Sequence, residues 1–349
     1  MTKSFAIAGR TIGPGQPPYV IAELSGNHNG DIRRAFRLIE AAKAAGADAV
    51  KLQTYTPDTM TIDHDGPGFK IKGGLWDGRQ LYALYREAQT PWKWHPDLFE
   101  HAKKVSITCF STPFDPSAVD FLGTLGAPAY KIASFEIVDT PLIRHAAKTG
   151  KPLVISTGMA EESEIEEAAH TACDSGKGGL ALLHCISAYP APAEEANLAR
   201  IPALASHYDC PIGLSDHTLG TEVAVAAVAL GAAIIEKHLT LARADGGPDA
   251  AFSLEPGEFQ TLVKSARLAH AAIGRADAER VESEKPNMLF RRSLYAVKDV
   301  ATGETLTADN VRSIRPGYGL APKHLPEILG RRAKKAIKRG TPMSLDLLE

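Results

Sequence analysis

Eight short β-branched apolar runs, each closed by a polar residue and followed by an amphipathic stretch, leave this 349-residue chain few folds to choose from. The pattern predicts strands over Tyr19–Glu23, Ala49–Thr54, Ser106–Ser111, Ala129–Ala133, Leu153–Ser156, Leu180–Cys185, Ile212–Ser215 and Ile234–His238. Between them it predicts helices such as Ile32–Ala45, Ser117–Leu125, Pro141–Thr149, Glu162–Cys173, Leu198–His207 and Glu222–Leu230, with Glu258–Ile273 after the last strand. Strands alternating with helices in this number, over roughly 250 residues, are the signature of an α/β protein built as a (β/α)8 TIM barrel, whose active site lies at the C-terminal ends of its strands. A doubly wound sheet is the competing architecture. It would want a G-x-G-x-x-G turn after a strand, and the chain has none.

The strand ends carry the chemistry such a barrel needs. Side chains alternate along a strand, so Ile234, Glu236 and His238 share one face while Ile235 and Lys237 share the other. His217, just past the preceding strand, and His238 then reach the same rim. With Asp216 and Asp249 nearby they form a candidate divalent-metal site with open positions. Glu23 closes the first strand, Lys51 and Gln53 share a face of the second, and Ser111 and Thr112 end the third. Lys131, Ser134 and Glu136 follow on the fourth, Ser156 and Thr157 on the fifth, Ser187 and Tyr189 after the sixth. Two inward lysines among hydroxyls describe a small polyanion site, with charge-assisted hydrogen bonds of about 1.5–3 kcal/mol each. Phosphate is the natural guess, though no Walker loop is present, because Gly150-Lys151 and Gly176-Lys177 are not followed by Ser or Thr.

Composition excludes several classes. A net charge of -2 gives no reason to expect nucleic acid or an anionic membrane as partner. The N-terminus lacks a signal-peptide core and no run approaches about 18 apolar residues, so a cytoplasmic enzyme is expected. Cys109, Cys173, Cys185 and Cys210 form no C-x-x-C pair, and buried free thiols are their expected state. The connection from Tyr55 to about Trp94 holds all three tryptophans, Trp76, Trp92 and Trp94. It is either a lid or stacking platform over the mouth or a satellite cluster packing the loop down. After Gly274 a charged stretch leads to a small second domain from about Arg291, giving a division into residues 1–280, a linker at 281–290 and residues 291–349. The second domain contains an echo, Val300-Ala-Thr-Gly-Glu-Thr-Leu-Thr-Ala-Asp309 against Ile337-Lys-Arg-Gly-Thr-Pro-Met-Ser-Leu-Asp346, which predicts two similar turn-and-strand units. The basic run Arg331–Arg339 reads as a solvated helix face or a protein interface rather than a nucleic-acid site.

The segments Ile21-Ala-Glu-Leu-Ser-Gly-Asn-His-Asn-Gly30, Val50-Lys-Leu-Gln-Thr54, Cys109-Phe-Ser-Thr-Pro-Phe-Asp115, Tyr130-Lys-Ile-Ala-Ser-Phe-Glu136, Gly213-Leu-Ser-Asp-His-Thr218 and Glu236-Lys-His238 resemble the sialic acid synthase family, nearly end to end. Thr90-Pro-Trp-Lys-Trp-His95, Ser187-Ala-Tyr-Pro-Ala-Pro192 and Arg315-Pro-Gly-Tyr-Gly319 look most like its pseudaminic acid branch. The resemblance implies a transferase that condenses phosphoenolpyruvate with the aldehyde of a diacetamido 6-deoxy sugar, in that branch 2,4-diacetamido-2,4,6-trideoxy-L-altrose. It implies a divalent cation, manganese or magnesium, on His217 and His238 that activates the aldehyde oxygen. It matches Lys51, Thr112, Lys131, Ser134, Ser156 and Ser215 to positions that hold phosphoenolpyruvate, and Glu23 and Glu136 to the acid and base. Gln53, Tyr189 and Asp249 complete the substrate set, and Ser187 departs from the asparagine of the sialic branch. The small domain resembles the antifreeze-like (SAF, β-clip) domain that closes these enzymes, and implies a domain-swapped homodimer in which Arg315 contacts the acceptor bound by the partner. The alternatives are an N-acetylneuraminate or legionaminate synthase, a Schiff-base pyruvate aldolase using Lys51, Lys131 or Lys237, and a non-catalytic binding barrel.

Overall fold

A computed structural model describes residues 4–277 and 279–349. Met1–Lys3, where the leader reading begins, and Ala278 in the charged stretch lie outside the described residues. The chain divides into two compact units, Met1–Ile273 and Gly274–Glu349.

The first unit opens with a hairpin of β1 (Phe5–Ile7) and β2 (Arg10–Ile12) that the sequence pattern does not announce. Eight parallel strands follow: β3 (Tyr19–Glu23), β4 (Ala49–Thr54), β5 (Thr108–Pro113), β6 (Tyr130–Ile132), β7 (Leu153–Ser156), β8 (Leu180–Cys185), β9 (Ile212–Asp216) and β10 (Ile234–His238). They close into a barrel in chain order, with β10 pairing back onto β3. The helices are α1 (Ile32–Ala45), the short α2 (Pro57–Met60) and α3 (Leu81–Ala88) of the long connection, α4 (His95–Lys104), α5 (Pro116–Thr124), α6 (Thr140–Lys148), α7 (Glu162–Ser175), α8 (Arg200–His207), α9 (Glu222–Ala229) and α10 (Pro256–Ile273). Among the described residues no helix is long and apolar enough to cross a membrane.

Local chemistry sets the boundaries. In α1, Asp31 accepts the Arg33 amide at the N-cap and Gly46, at φ 89°, closes the C-terminus through its N–H to Ala42 and Lys43, while Leu38, Ile39 and Ala42 face the barrel. The third barrel strand starts two residues later than expected, at Thr108. Ser106 sits in the left-handed region (φ 58°) and the Ile107 amide still bonds the Ala102 carbonyl, so both belong to the end of α4.

Two layers fill the barrel. Tyr19, Ile21, Ala49, Phe110, Ala129, Val154, Ala181, Leu183 and Ile234 form an apolar interior cluster that also takes Ile7 and Ile12, so the hairpin plugs the lower end. Burying each isoleucine there contributes about 1.5–3 kcal/mol. Two residues further along each strand the interior turns polar: Ile21 gives way to Glu23, Ala49 to Lys51, Phe110 to Thr112, Ala129 to Lys131, Val154 to Ser156 and Ile234 to Glu236. In the apolar layer β9 contributes Gly213, where a Cβ would strike the Ile234 carbonyl at 2.5 Å, and, two residues on, it contributes Ser215.

The second unit contains a 3-10 run at Glu282–Phe290, the antiparallel pair β11 (Ser293–Ala296) and β12 (Val311–Ile314), and the short α11 (Leu325–Ile328). The sequence echo is structural: Val300 and Ile337 exchange backbone hydrogen bonds at 2.8 Å, Gly303 and Gly340 turn at φ 78° and 88°, and Leu306 and Met343 enter one core. Arg331–Arg339 is not a helix face. Ala333 and Ile337 have helical spacing, but they pair in extended backbone with Leu348 and Val300.

Candidate active site

At the C-terminal end of the barrel the inward side chains form one network. The Lys51 ammonium ion-pairs with Glu23, donates to Thr112 Oγ1 at 2.9 Å and lies 3.7 Å from Glu236 Oε1. Lys131 donates to Ser156 Oγ at 2.7 Å and lies 3.7 Å from the same Glu236 oxygen, which also accepts from Ser215 at 3.2 Å. Glu23 Oε1 accepts from the Ser25 amide at 2.9 Å and from Gln53 at 3.2 Å. Ser134 Oγ accepts from the Gly158 amide at 3.1 Å, and a Cβ at Gly158 would collide with both Ser134 and Ser187. Ser187 also lies 3.9 Å from the Cys185 sulfur.

The electrostatics follow from burial. Lys51, Lys131, Glu23 and Glu236 are all at most 4% exposed. Burial pushes the Glu23 carboxyl up to about 7 against the pull of Lys51. Burial also opposes the charge on Glu236, yet Lys131, Lys51 and His217 outweigh it and hold that carboxyl below its ordinary value. Glu136, on the turn after β6, is pushed up to about 7 by burial, and its Oε2 is buried without a hydrogen-bond partner. Burial likewise raises Asp249, despite bonds from Ser25 and the Gly26 amide. With Glu136 and Asp249 biased toward neutrality and Glu23 and Glu236 paired with the lysines, the ammonium groups of Lys51 and Lys131 and the hydroxyls beside them are the donors that the pocket offers a small polyanion.

The histidine pair sits beside this network, the ring centroids 5.4 Å apart. His217 Nδ1 lies 2.9 Å from the Ile186 carbonyl, a bond that in the neutral ring puts the proton on Nδ1 and the lone pair on Nε2. Burial opposes charge on His217, but Cys185, with its sulfur 3.8 Å from Nδ1, and the Ile186 carbonyl raise it. His238 is driven well below its ordinary value by burial and by the positive groups around it, Lys51 and Lys131 among them, so it is neutral, and its Nδ1 is buried with no partner. Tyr189 packs 4.4 Å from His217 and 5.2 Å from Phe252.

Three expectations change. Asp216 does not join the histidines: Ser215 and His217 face inward, so Asp216 faces out and bonds Lys237. Lys237 is likewise fully buried on the outer face, away from any pyruvate in the barrel. Ser111 bonds Thr54 at 2.7 Å beneath His95, again outside the barrel. Two residues are gained. Glu236 bridges both lysines, and its place two residues before His238 was the available signal. Trp76 reaches over from the long loop to stand 5.5 Å from Tyr189, its indole donating to the Pro248 carbonyl at 2.9 Å. Trp92 and Trp94 instead pack that loop down, against Phe121 and His28. Arg315 belongs to the second unit, exposed just beyond β12.

Known proteins resemble this chain in sequence and fold. The profile of the NeuB family matches residues 38–278, and that of the SAF domain residues 291–349. A pseudaminic acid synthase of Campylobacter jejuni is 45% identical, covering 92% of this chain and 94% of its own length. One from Helicobacter pylori is 43% identical, covering 96% and 98%. The crystal structure of an N-acetylneuraminic acid (sialic acid) synthetase from Leptospira borgpetersenii, in complex with citrate, is 34% identical with a TM-score of 0.74, over 82% of this chain and 96% of that one. A polar ring above a plugged eight-stranded barrel, two buried lysines, a histidine pair and these end-to-end matches lead to one conclusion: the chain belongs to the NeuB family and carries a SAF domain over residues 291–349.

Proposed function

We propose that this chain is a pseudaminic acid synthase, condensing phosphoenolpyruvate with 2,4-diacetamido-2,4,6-trideoxy-L-altrose to give pseudaminic acid and phosphate. The observation that carries the reading is the pair of buried lysines lined by hydroxyls, in a chain 45% identical to a pseudaminic acid synthase over most of its length. Lys51, Thr112, Lys131, Ser134, Ser156 and Ser215 bind the phosphate and carboxylate, with Ser187 beside them. Trp76 and Tyr189 flank the acceptor, and Gln53 and Asp249 orient it.

Both glutamates titrate near neutrality, as an acid and a base at pH 7 must. Glu136, with a partnerless oxygen, holds the proton that the aldehyde oxygen takes as the methylene carbon attacks. Glu23, whose oxygens already receive donors from Ser25, Gln53 and Lys51, is suited to the charged form and accepts a proton from the water that adds to the carboxyl-bearing carbon. Phosphate then leaves with the bridging oxygen.

The imidazoles fit a divalent cation, manganese or magnesium. His217 presents Nε2 and the neutral His238 has a buried bare nitrogen. A cation held by these two imidazoles would keep its other positions for water and substrate; among the described residues no group of three or more His, Cys, Asp or Glu side chains is placed to hold a metal. When bound there, the cation supplies Lewis-acid activation of a carbonyl oxygen.

With the bridging oxygen of phosphoenolpyruvate labelled and a panel of 6-deoxy diacetamido sugars offered beside N-acetylmannosamine, the heavy isotope appears in phosphate and the altrose derivative gives the product. Preference for N-acetylmannosamine or for a legionaminic precursor would move the chain to another synthase, and label kept in the keto acid would remove the condensation.

The proposal includes a domain-swapped homodimer. Phe135, Val138, Met159 and Leu219, on connections at the active-site rim, are each about 60% exposed, an apolar rim that a second copy covers. Exposed Arg315 would reach the partner's acceptor. Mixing inactive His238→Ala and Arg315→Ala chains by co-expression then restores about a quarter of wild-type activity, since one barrel of each hybrid dimer is complete. No rescue would mean that Arg315 serves its own chain.

A further inference from the structure

We propose that the buried ion pair Asp216–Lys237, on the outer face of the barrel wall, is a positioning device for the two histidines on the inner face. The inference rests on reading His217 and His238 as the cation's ligands. Asp216 and Lys237 are register partners on β9 and β10, and each directly precedes one of the histidines in sequence. Lys237 is 0% and Asp216 3% exposed. The Lys237 ammonium donates to Asp216 Oδ2 at 2.5 Å and to the Thr218 carbonyl at 2.6 Å. The other Asp216 oxygen accepts from the Thr218 amide at 2.9 Å and from its hydroxyl at 2.8 Å. The chain on both sides of His217 is thereby tied to the residue beside His238.

The geometry explains why the tie acts on the imidazoles. Neighbouring residues on a strand point to opposite faces, so a bond between the outer side chains of 216 and 237 sets the register and roll of 217 and 238 inside. A slip of one residue in either strand would turn the imidazole at its end out of the barrel. A buried ion pair is no better for stability than two well-packed apolar side chains of similar volume, but its hydrogen-bond directions admit one arrangement where an apolar pair admits several. Neither charge faces the reaction, which makes these positioning residues rather than catalytic ones.

The double variant Asp216→Asn/Lys237→Met removes both charges at nearly constant volume and leaves no buried ion unpaired. In the full-length protein it should melt close to wild type, and Lys51 and Lys131, on β4 and β6, should keep most of the metal-free affinity for phosphoenolpyruvate, the contribution of Ser215 next to Asp216 being the part that falls. Its affinity for manganese, measured by calorimetry without substrates, should fall at least tenfold. The nitrogen-15 signals of His217 in the metal-free protein should move from a single Nδ1–H tautomer toward a mixture. A folded double variant with wild-type manganese affinity and unchanged histidine signals would overturn the proposal. If wild type itself binds no manganese, the ligand reading falls, and the histidine signals alone decide: a shift sustains the positioning role and constancy ends it. Should the double variant not fold, Thr218→Val deletes one bond to Asp216 and is read the same way, with a smaller loss expected and wild-type values overturning it.

Discussion

Replacing His238 with alanine abolishes metal-dependent turnover, by on the order of a thousandfold, while leaving the protein folded. The two halves of that expectation have separate physical origins. Turnover is lost because the neutral His238 ring holds a buried lone pair beside His217, and nothing else among the described residues takes its place. The fold survives because the buried Nδ1 has no partner, so truncation breaks no hydrogen bond at that atom and relieves a desolvated polar group. His217→Ala is expected to lose as much activity but more stability, since its ring also bonds the Ile186 carbonyl and packs on Tyr189. Activity of chelated enzyme titrated with manganese, beside a thermal melt, checks both. Full activity without metal, or a His238→Ala variant as active as wild type, would sink the site.

Lys51→Met carries the second large effect, on binding and stability together. The ammonium is shared by Glu23, Glu236 and Thr112, so its removal strands two buried carboxylates, with only Lys131 left near Glu236. Breaking a buried pair from one side costs about 3–5 kcal/mol. The loss depends on pH in a definite direction. Burial already lifts Glu23 to about 7 with the lysine present, and without it the folded-state value rises further. A carboxyl raised in the folded state holds its proton there more tightly than in the unfolded chain, so stability falls as pH rises through that window. The variant should therefore melt nearer to wild type at pH 5 than at pH 8. Loss of charge-assisted hydrogen bonds worth about 1.5–3 kcal/mol each should raise the KM for phosphoenolpyruvate by about a hundredfold. An unchanged KM would take Lys51 off the substrate.

Much of the fold was legible in the sequence because barrel strands advertise themselves locally. Tyr19–Glu23, Ala49–Thr54, Leu153–Ser156, Leu180–Cys185 and Ile234–His238, read from β-branched runs and their polar ends, are the observed strands. The amino-terminal hairpin was not legible. Phe5–Ile12 is too short to show a period, and its isoleucines are explained only by the open barrel end they fill. Arg331–Arg339 misled for a related reason, since an i, i+4 apolar pair satisfies a helix and a paired extended segment equally well until the partners Val300 and Leu348 are in place.

By itself the sequence determined parity. On β10 alternation puts Glu236 and His238 on one face and Lys237 on the other; on β9 the structure shows the same alternation, Ser215 and His217 inward and Asp216 out, against the expectation that Asp216 joins the histidines. What parity cannot supply is which inward residues meet across the barrel, because that depends on the stagger of eight strands at closure. Only the tertiary structure decided that one oxygen of Glu236 lies between Lys51 and Lys131, that Asp216 answers Lys237 through the wall, and that Trp76 crosses from a long loop to Tyr189. Side-chain direction is a property of two neighbouring peptides; contact between strands distant in sequence is a property of the closed barrel.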